Sequence, residues 1–373
     1  TATDTDVERY IHELTAGDAI KRMFRRYGIA YGWIAMATVM VAVLATLLTG
    51  TIINVAIPQI MGAYGIGQDT AQWLATANLA ASTVGMLVTF WMVGAWGLRN
   101  MMLFSLTAFL FGSVLGGISP NIEFMILARI IQGVTAGLIA PISMSVIFQL
   151  FPARKQGTVM GVASIAAIIA PALGPTVGGL LIDTFNWRYV YFLGVPFSLV
   201  CLPLTMLFLP DREENAVVKP FDWVGLVSLS LAITFMLVAL SSGEDEGWTS
   251  NRIISYFSIS AFAWGVFGYW QLKSQNPLLN LGIFKFKRFA IFALAAFMFG
   301  AGLYGSTYII PLFLQLVQGM SPTDSWCLAR RTRRSVKCGQ RPRALRMPSR
   351  PCSGRTVALG SSHLGPPTAP RRM

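Results

Sequence analysis

Arg129 stands inside an apolar run, and its chemistry is the hardest in the chain to place there. A guanidinium keeps its charge in proteins, and an arginine at the centre of a membrane helix costs roughly 2.5 to 3.5 kcal/mol on insertion scales. Gln132 and Gly133 follow at three and four positions, on the same helical face. One reading is therefore a polar patch directed between helices. The other is a snorkelling side chain, because Arg129 lies only ~7 Å along a helix that starts near residue 124. Asn54, Gln72, Asn78 and Gln315 also interrupt apolar runs, where a polar group needs a partner or water. They line a solute path or act as glue between helices.

A second constellation is Ala170-Pro171-Ala172-Leu173-Gly174-Pro175-Thr176-Val177-Gly178-Gly179. Ala170, Gly174 and Gly178 recur every four residues and make one small face on which another helix can approach closely. Pro171 and Pro175 each remove a backbone N–H and oppose the carbonyl four residues earlier, so the helix is expected to bend. A bent, closely packed helix suits a pivot between conformations, and it also suits ordinary packing with a proline kink. No enzyme constellation accompanies these residues. His12 and His363 lie in the terminal segments, no phosphate loop is present, and the four cysteines (Cys201, Cys327, Cys338, Cys352) have neither metal-site nor disulfide-framework spacing. The expectation is a non-enzyme without cofactor or metal.

The elements that must position these residues are membrane helices. Hydrophobic residues make up 54% of the chain and charged residues only 12%, about half the charge of a soluble domain. Apolar runs near the ~20 residues needed to cross a bilayer recur at 32–57, 72–94, 101–118, 124–148, 157–182, 189–209, 223–241, 253–271 and 289–317. With a cytoplasmic N-terminus, the segments between them place 14 positive residues inside and only Arg188 and Arg252 outside, which fixes the expected orientation. Residues 1–27 hold Arg9, Lys21, Arg22, Arg25 and Arg26 among acids, without the apolar core of a cleavable signal.

The formal charge of +13 would suggest nucleic acid or anionic lipid as a partner, but residues 1–325 hold 17 Lys+Arg and 16 Asp+Glu. The remaining 12 basic residues lie after Ser325 without a single acid, so no nucleic-acid partner is expected. That Arg-, Pro-, Ser- and Gly-rich stretch cannot build a core. It reads as an out-of-frame or otherwise foreign C-terminus, or as a native disordered tail.

Three runs carry a family resemblance. The 170–179 run resembles the G-P-x-x-G-G antiporter motif of the major facilitator superfamily, with Pro171, Gly174, Pro175, Gly178 and Gly179 as its residues. Leu127 to Gly137 resembles that superfamily's fourth-helix motif, and Thr51-Ile52-Ile53-Asn54-Val55-Ala56-Ile57-Pro58 resembles the first-helix motif of the fourteen-helix drug:proton antiporters of the EmrB/QacA type. Gln72-Trp73, Asn186-Trp187-Arg188 and Asp222-Trp223 look like the same subgroup.

The resemblance implies an all-α membrane protein with the major facilitator fold, in which two six-helix bundles rock about a midplane site. On that map 1–27 is a cytoplasmic segment, 28–210 the first six-helix bundle and 211–272 two inserted linker helices. Residues 273–318 are a cytoplasmic loop and the first helix of the second bundle, and 319–373 are the basic tail. The implied function is efflux of amphipathic small molecules across a bacterial inner membrane by proton antiport, with a periplasmic adaptor protein as partner. Arg129, Gln132, Asn54 and Asn78 would serve the proton or substrate pathway, and Gly97 and Arg99 the gating loop. A non-transporting membrane protein that keeps the first bundle is the alternative.

Departures accompany the matches. Thr49 stands where the first-helix motif commonly has an aspartate, and Met92 to Arg99 keeps Gly97 and Arg99 of the L-x-D-R-x-G-R-R loop but lacks its acid and first arginine. No Asp or Glu stands clearly within a span; Asp183 lies at the outer end of the fifth, and Asp222, opening the seventh, reads as an N-cap. On the out-of-frame reading, the coding DNA after Asp324 should read five further apolar spans in another frame. An intact frame encoding the tail would refute that reading.

Overall fold

A helix closes its backbone hydrogen bonds within itself, which lets an apolar run cross hydrocarbon with no unpaired polar group. A computed structural model describes residues 8, 10, 17–212, 220–279 and 281–316. The basic tail, most of residues 1–16 and the side chains of Pro171 and Gln315 lie outside the described residues. Among those described, nine helices are long and apolar enough to span a membrane. In chain order the spans are Ala30–Tyr64, Gln68–Trp96, Leu98–Gly117, Ile122–Leu150, Ala153–Thr184, Tyr189–Phe208, Trp223–Glu246, Asn251–Lys273 and Lys287–Leu316.

The expected spans all appear, most of them with longer ends. The first helix runs through Pro58 to Tyr64 and closes on Gly65 at φ +63°; a proline costs its helix one N–H, and Tyr64 is held by donating its hydroxyl to the Ser119 carbonyl. The fifth helix is unbroken across Pro171 and Pro175. The sixth breaks at Leu193 into Tyr189–Phe192 and Gly194–Phe208. A short amphipathic helix, Asp18–Tyr27, precedes the spans and was not expected from the sequence. Its Phe24 is fully buried against Tyr10 and Tyr31, and the Tyr10 hydroxyl donates to the Leu150 carbonyl.

Packing follows the small residues. The second and fourth spans form the most extensive helix pair, and the fifth lies along the first. A Cβ at Gly133 would overlap the Asn78 carbonyl, one at Gly137 the Ser82 carbonyl, and one at Gly85 the Val134 carbonyl. The two helices therefore run parallel in one register, advancing four residues together, with backbone against backbone. Gly174 and Gly178 also allow a close approach to the first span, where a Cβ would meet the side chains of Thr51 and Ile52.

The seventh and eighth spans form a hairpin. Asp222 caps the seventh by accepting from the Gly225 N–H at 2.9 Å, as expected, and also accepts from Trp270 Nε1 at 2.7 Å and Gln271 Nε2 at 2.8 Å. The ninth span touches the first through Tyr308 and Leu312, and none of its most apolar window is buried.

Gly137→Leu should therefore lose about 1–3 kcal/mol through overpacking, read as a lower melting temperature in detergent. Gly161→Ala, whose Cβ would meet nothing within 4 Å, should be neutral or gain up to about 1 kcal/mol. Equal melting of the two variants would refute the seam.

Candidate functional site

The 2–4 seam sets the position of Arg129. Asn121 caps the fourth span by accepting from the Phe124 N–H at 3.0 Å, and two turns later the arginine faces inward, 1% exposed. Snorkelling is excluded. Nε donates to the Leu74 carbonyl at 2.9 Å, one step earlier in the register that pairs Gly133 with Asn78. Nη1 donates to Gln132 Oε1 at 3.0 Å and to the Thr49 carbonyl at 3.3 Å. Gln132 passes the contact on, its Nε2 donating to Ser113 Oγ at 3.0 Å, and Asn78 Nδ2 donates to the carbonyl of Arg129 itself at 3.0 Å.

This network is neutral apart from the guanidinium. Among the described residues no carboxylate pairs with Arg129, and its Nη2 has no acceptor. The buried Tyr191 hydroxyl is also without a partner. Carbonyl dipoles thus carry the whole burden of a buried cation, an arrangement that costs several kcal/mol relative to water.

In front of the network lies a cavity of about 610 Å³ between the first, second, fourth and ninth spans. Asn54, Gln72 and Asn78 line it, together with Thr51, Gly137 and Tyr308. The volume suits a drug-sized molecule. Asn54 Oδ1 and the Tyr308 hydroxyl are buried without partners, whereas Gln72 Nε2 is used in donating to Ser241 Oγ at 2.8 Å. Of the expected pathway residues, Asn54 and Asn78 reach the cavity and Arg129 and Gln132 stand behind its wall.

The residues of the other two motifs are not among those that line the cavity. Gly174 and Gly178 press on Thr51 and Ile52, so the fifth-span run packs directly on the first-span run. Gly97 ends the second span at φ +82°, so close to Arg212 that a Cβ would overlap its backbone. Arg99 forms an ion pair with Asp211 at 2.6 Å, and its Nε donates to the Leu209 carbonyl at 2.9 Å. The start of the third span is thereby fastened to the end of the sixth. Ser113, Tyr191 and Tyr308 were not foreseen; for Ser113 the run Gly112-Ser113 to Gly116-Gly117 was the available signal of a close helix contact.

Similar proteins bear on this geometry. The profile of the Major Facilitator Superfamily matches residues 39–329. The multidrug export protein EmrB of Haemophilus influenzae is 31% identical over 271 residues, covering 72% of this chain and 53% of that protein. EmrB of Escherichia coli K12 is 30% identical over 277 residues, covering 74% and 54%. The uncharacterized MFS-type transporter YhcA of Bacillus subtilis is 27% identical over 293 residues, covering 79% and 55%. The chain spans about half the length of the curated relatives it matches.

Replacing Arg129 by methionine removes an unpaired buried charge at similar volume. The variant should melt no lower than the parent, within a range of zero to about 4 kcal/mol of stabilisation. Melting several degrees lower would mean that the carbonyl bonds outweigh the desolvation of the charge.

Proposed function

The chain belongs to the Major Facilitator Superfamily, and on that premise we propose that it supplies the front portion of a multidrug efflux transporter. The observation that carries this reading is the cavity of about 610 Å³ with the buried arginine network behind it. Similarity to multidrug export proteins supports an amphipathic, drug-like substrate.

On this reading residues 28–210 are the first six-helix bundle, 211–272 the inserted pair, and 273–318 lead into the second bundle. The unburied surface of the ninth span supports that last assignment, because an isolated first helix of a bundle still lacks its neighbours. The N-terminus is cytoplasmic and the membrane is the bacterial inner membrane. Transport is proton antiport, assisted by a periplasmic adaptor protein. Gly174 and Gly178 on Thr51 and Ile52 form the pivot, and the Arg99–Asp211 clasp keeps the cytoplasmic ends of the third and sixth spans together as the bundle rocks.

Deletion of the gene should sensitise cells to amphipathic dyes, and re-expression should restore resistance; no change across a broad compound panel would overturn the efflux reading. Orientation has its own readout. A fluorescent-protein fusion after Arg212 should fluoresce and an alkaline phosphatase fusion after Phe185 should be active, whereas the opposite pattern would invert the topology.

A further inference from the structure

We infer that the cavity selects amphipathic anions over cations of the same size and shape. This deepens the transporter reading and rests on it. The described residues that line the cavity include no carboxylate, ammonium, guanidinium or imidazole, so its electrostatics are set by what stands behind the wall. There the Arg129 guanidinium is bonded to the carbonyl of Thr49, the residue before cavity-lining Gly50, and its own carbonyl is held by cavity-lining Asn78. No acid among the described residues pairs with it. Asp69 is exposed at the start of the second span and is screened by solvent.

A positive charge buried without a counter-ion projects into any adjoining space of low dielectric. As a general matter, a unit charge about 10 Å from a ligand at an effective dielectric near 20 favours an anion over a neutral ligand by roughly tenfold, and disfavours a cation by as much. The lining supplies the other requirements of such a ligand. Leu47, Leu79, Met86 and Met144 offer an apolar surface for its body, and the cavity wall includes Tyr308, whose hydroxyl is buried and without a partner. A hydroxyl donating to an anion makes a charge-assisted bond, about twice as strong as a neutral one.

The test uses the full chain in nanodiscs of zwitterionic lipid, with two dansyl-labelled undecyl probes that differ only in a terminal carboxylate or trimethylammonium group. Empty nanodiscs give the partition background. The carboxylate probe should bind roughly a hundredfold tighter than the ammonium probe, the product of the two effects. Arg129→Met should bring the ratio near one. Asn54→Asp, an isosteric change at the cavity wall, should reverse it, and carries the test alone if the methionine variant does not fold. Equal binding of both probes by the parent would overturn the inference and leave the cavity reading in place. A preference that survives Arg129→Met would belong to the basic tail and would overturn it too, as would an Asn54→Asp variant with the parental ratio. Binding of neither probe would overturn the cavity reading along with the inference.

Discussion

Helices in hydrocarbon gain little by hiding apolar surface from lipid that is equally apolar, so their association rests on how closely their backbones can approach. The parallel seam between the second and fourth spans is where this constraint is met most fully. Gly133 lies on the Asn78 carbonyl and Gly137 on the Ser82 carbonyl, and Gly85 returns the contact at Val134. Because both helices advance by four residues per contact, a single register is enforced along several turns. Arg129 falls on the same register, with its Nε on the carbonyl of Leu74. The site is thus a by-product of the seam: shift the two helices by one residue and the guanidinium loses an acceptor while a glycine meets a side chain.

The same reasoning connects the motifs to each other. The first span is the common neighbour. It presents Thr51 and Ile52 to the fifth span on one side, Asn54 and Gly50 to the cavity, and the Thr49 carbonyl to the arginine. Thr51 and Thr49 both turn their hydroxyls back onto carbonyls of their own helix, at Leu48 and Ala45. Neither leaves a donor unpaired in the interior. A threonine at position 49 cannot balance the arginine, and only its backbone does so. The departure from the family pattern at this residue is therefore matched by a structural consequence, a buried cation whose partners are all dipoles.

Much of the fold was legible in the sequence because the signal was length and apolarity, which a bilayer reads almost literally. All nine spans were located, and errors fell at their ends, where Pro58 did not stop a helix that had a tertiary anchor at Tyr64. The helix Asp18–Tyr27 was missed, although Ile20, Met23, Phe24 and Tyr27 follow the spacing of an amphipathic face; its five charged residues obscured the pattern. At the site, residue types gave Arg129, Gln132, Asn54 and Asn78. The register did not follow from them, since it depends on which glycine opposes which carbonyl across two helices. Tyr191 and Tyr308 were likewise invisible, as a tyrosine in an apolar run carries no sign of whether its hydroxyl is satisfied.

The hairpin of the seventh and eighth spans has a consequence for how such a chain can change over generations. Asp222 is answered by Gly225, Trp270 and Gln271, and Gln271 in turn accepts from the Leu279 N–H at 3.0 Å. The polar demands of the pair are thus largely met inside the pair, with Gln72 and Ser241 supplying a bond to its neighbour. An even number of crossings also returns the chain to the side it came from. A unit with those two properties is a cassette: it can be acquired or lost without inverting the helices downstream of it and with few polar groups abandoned in the lipid.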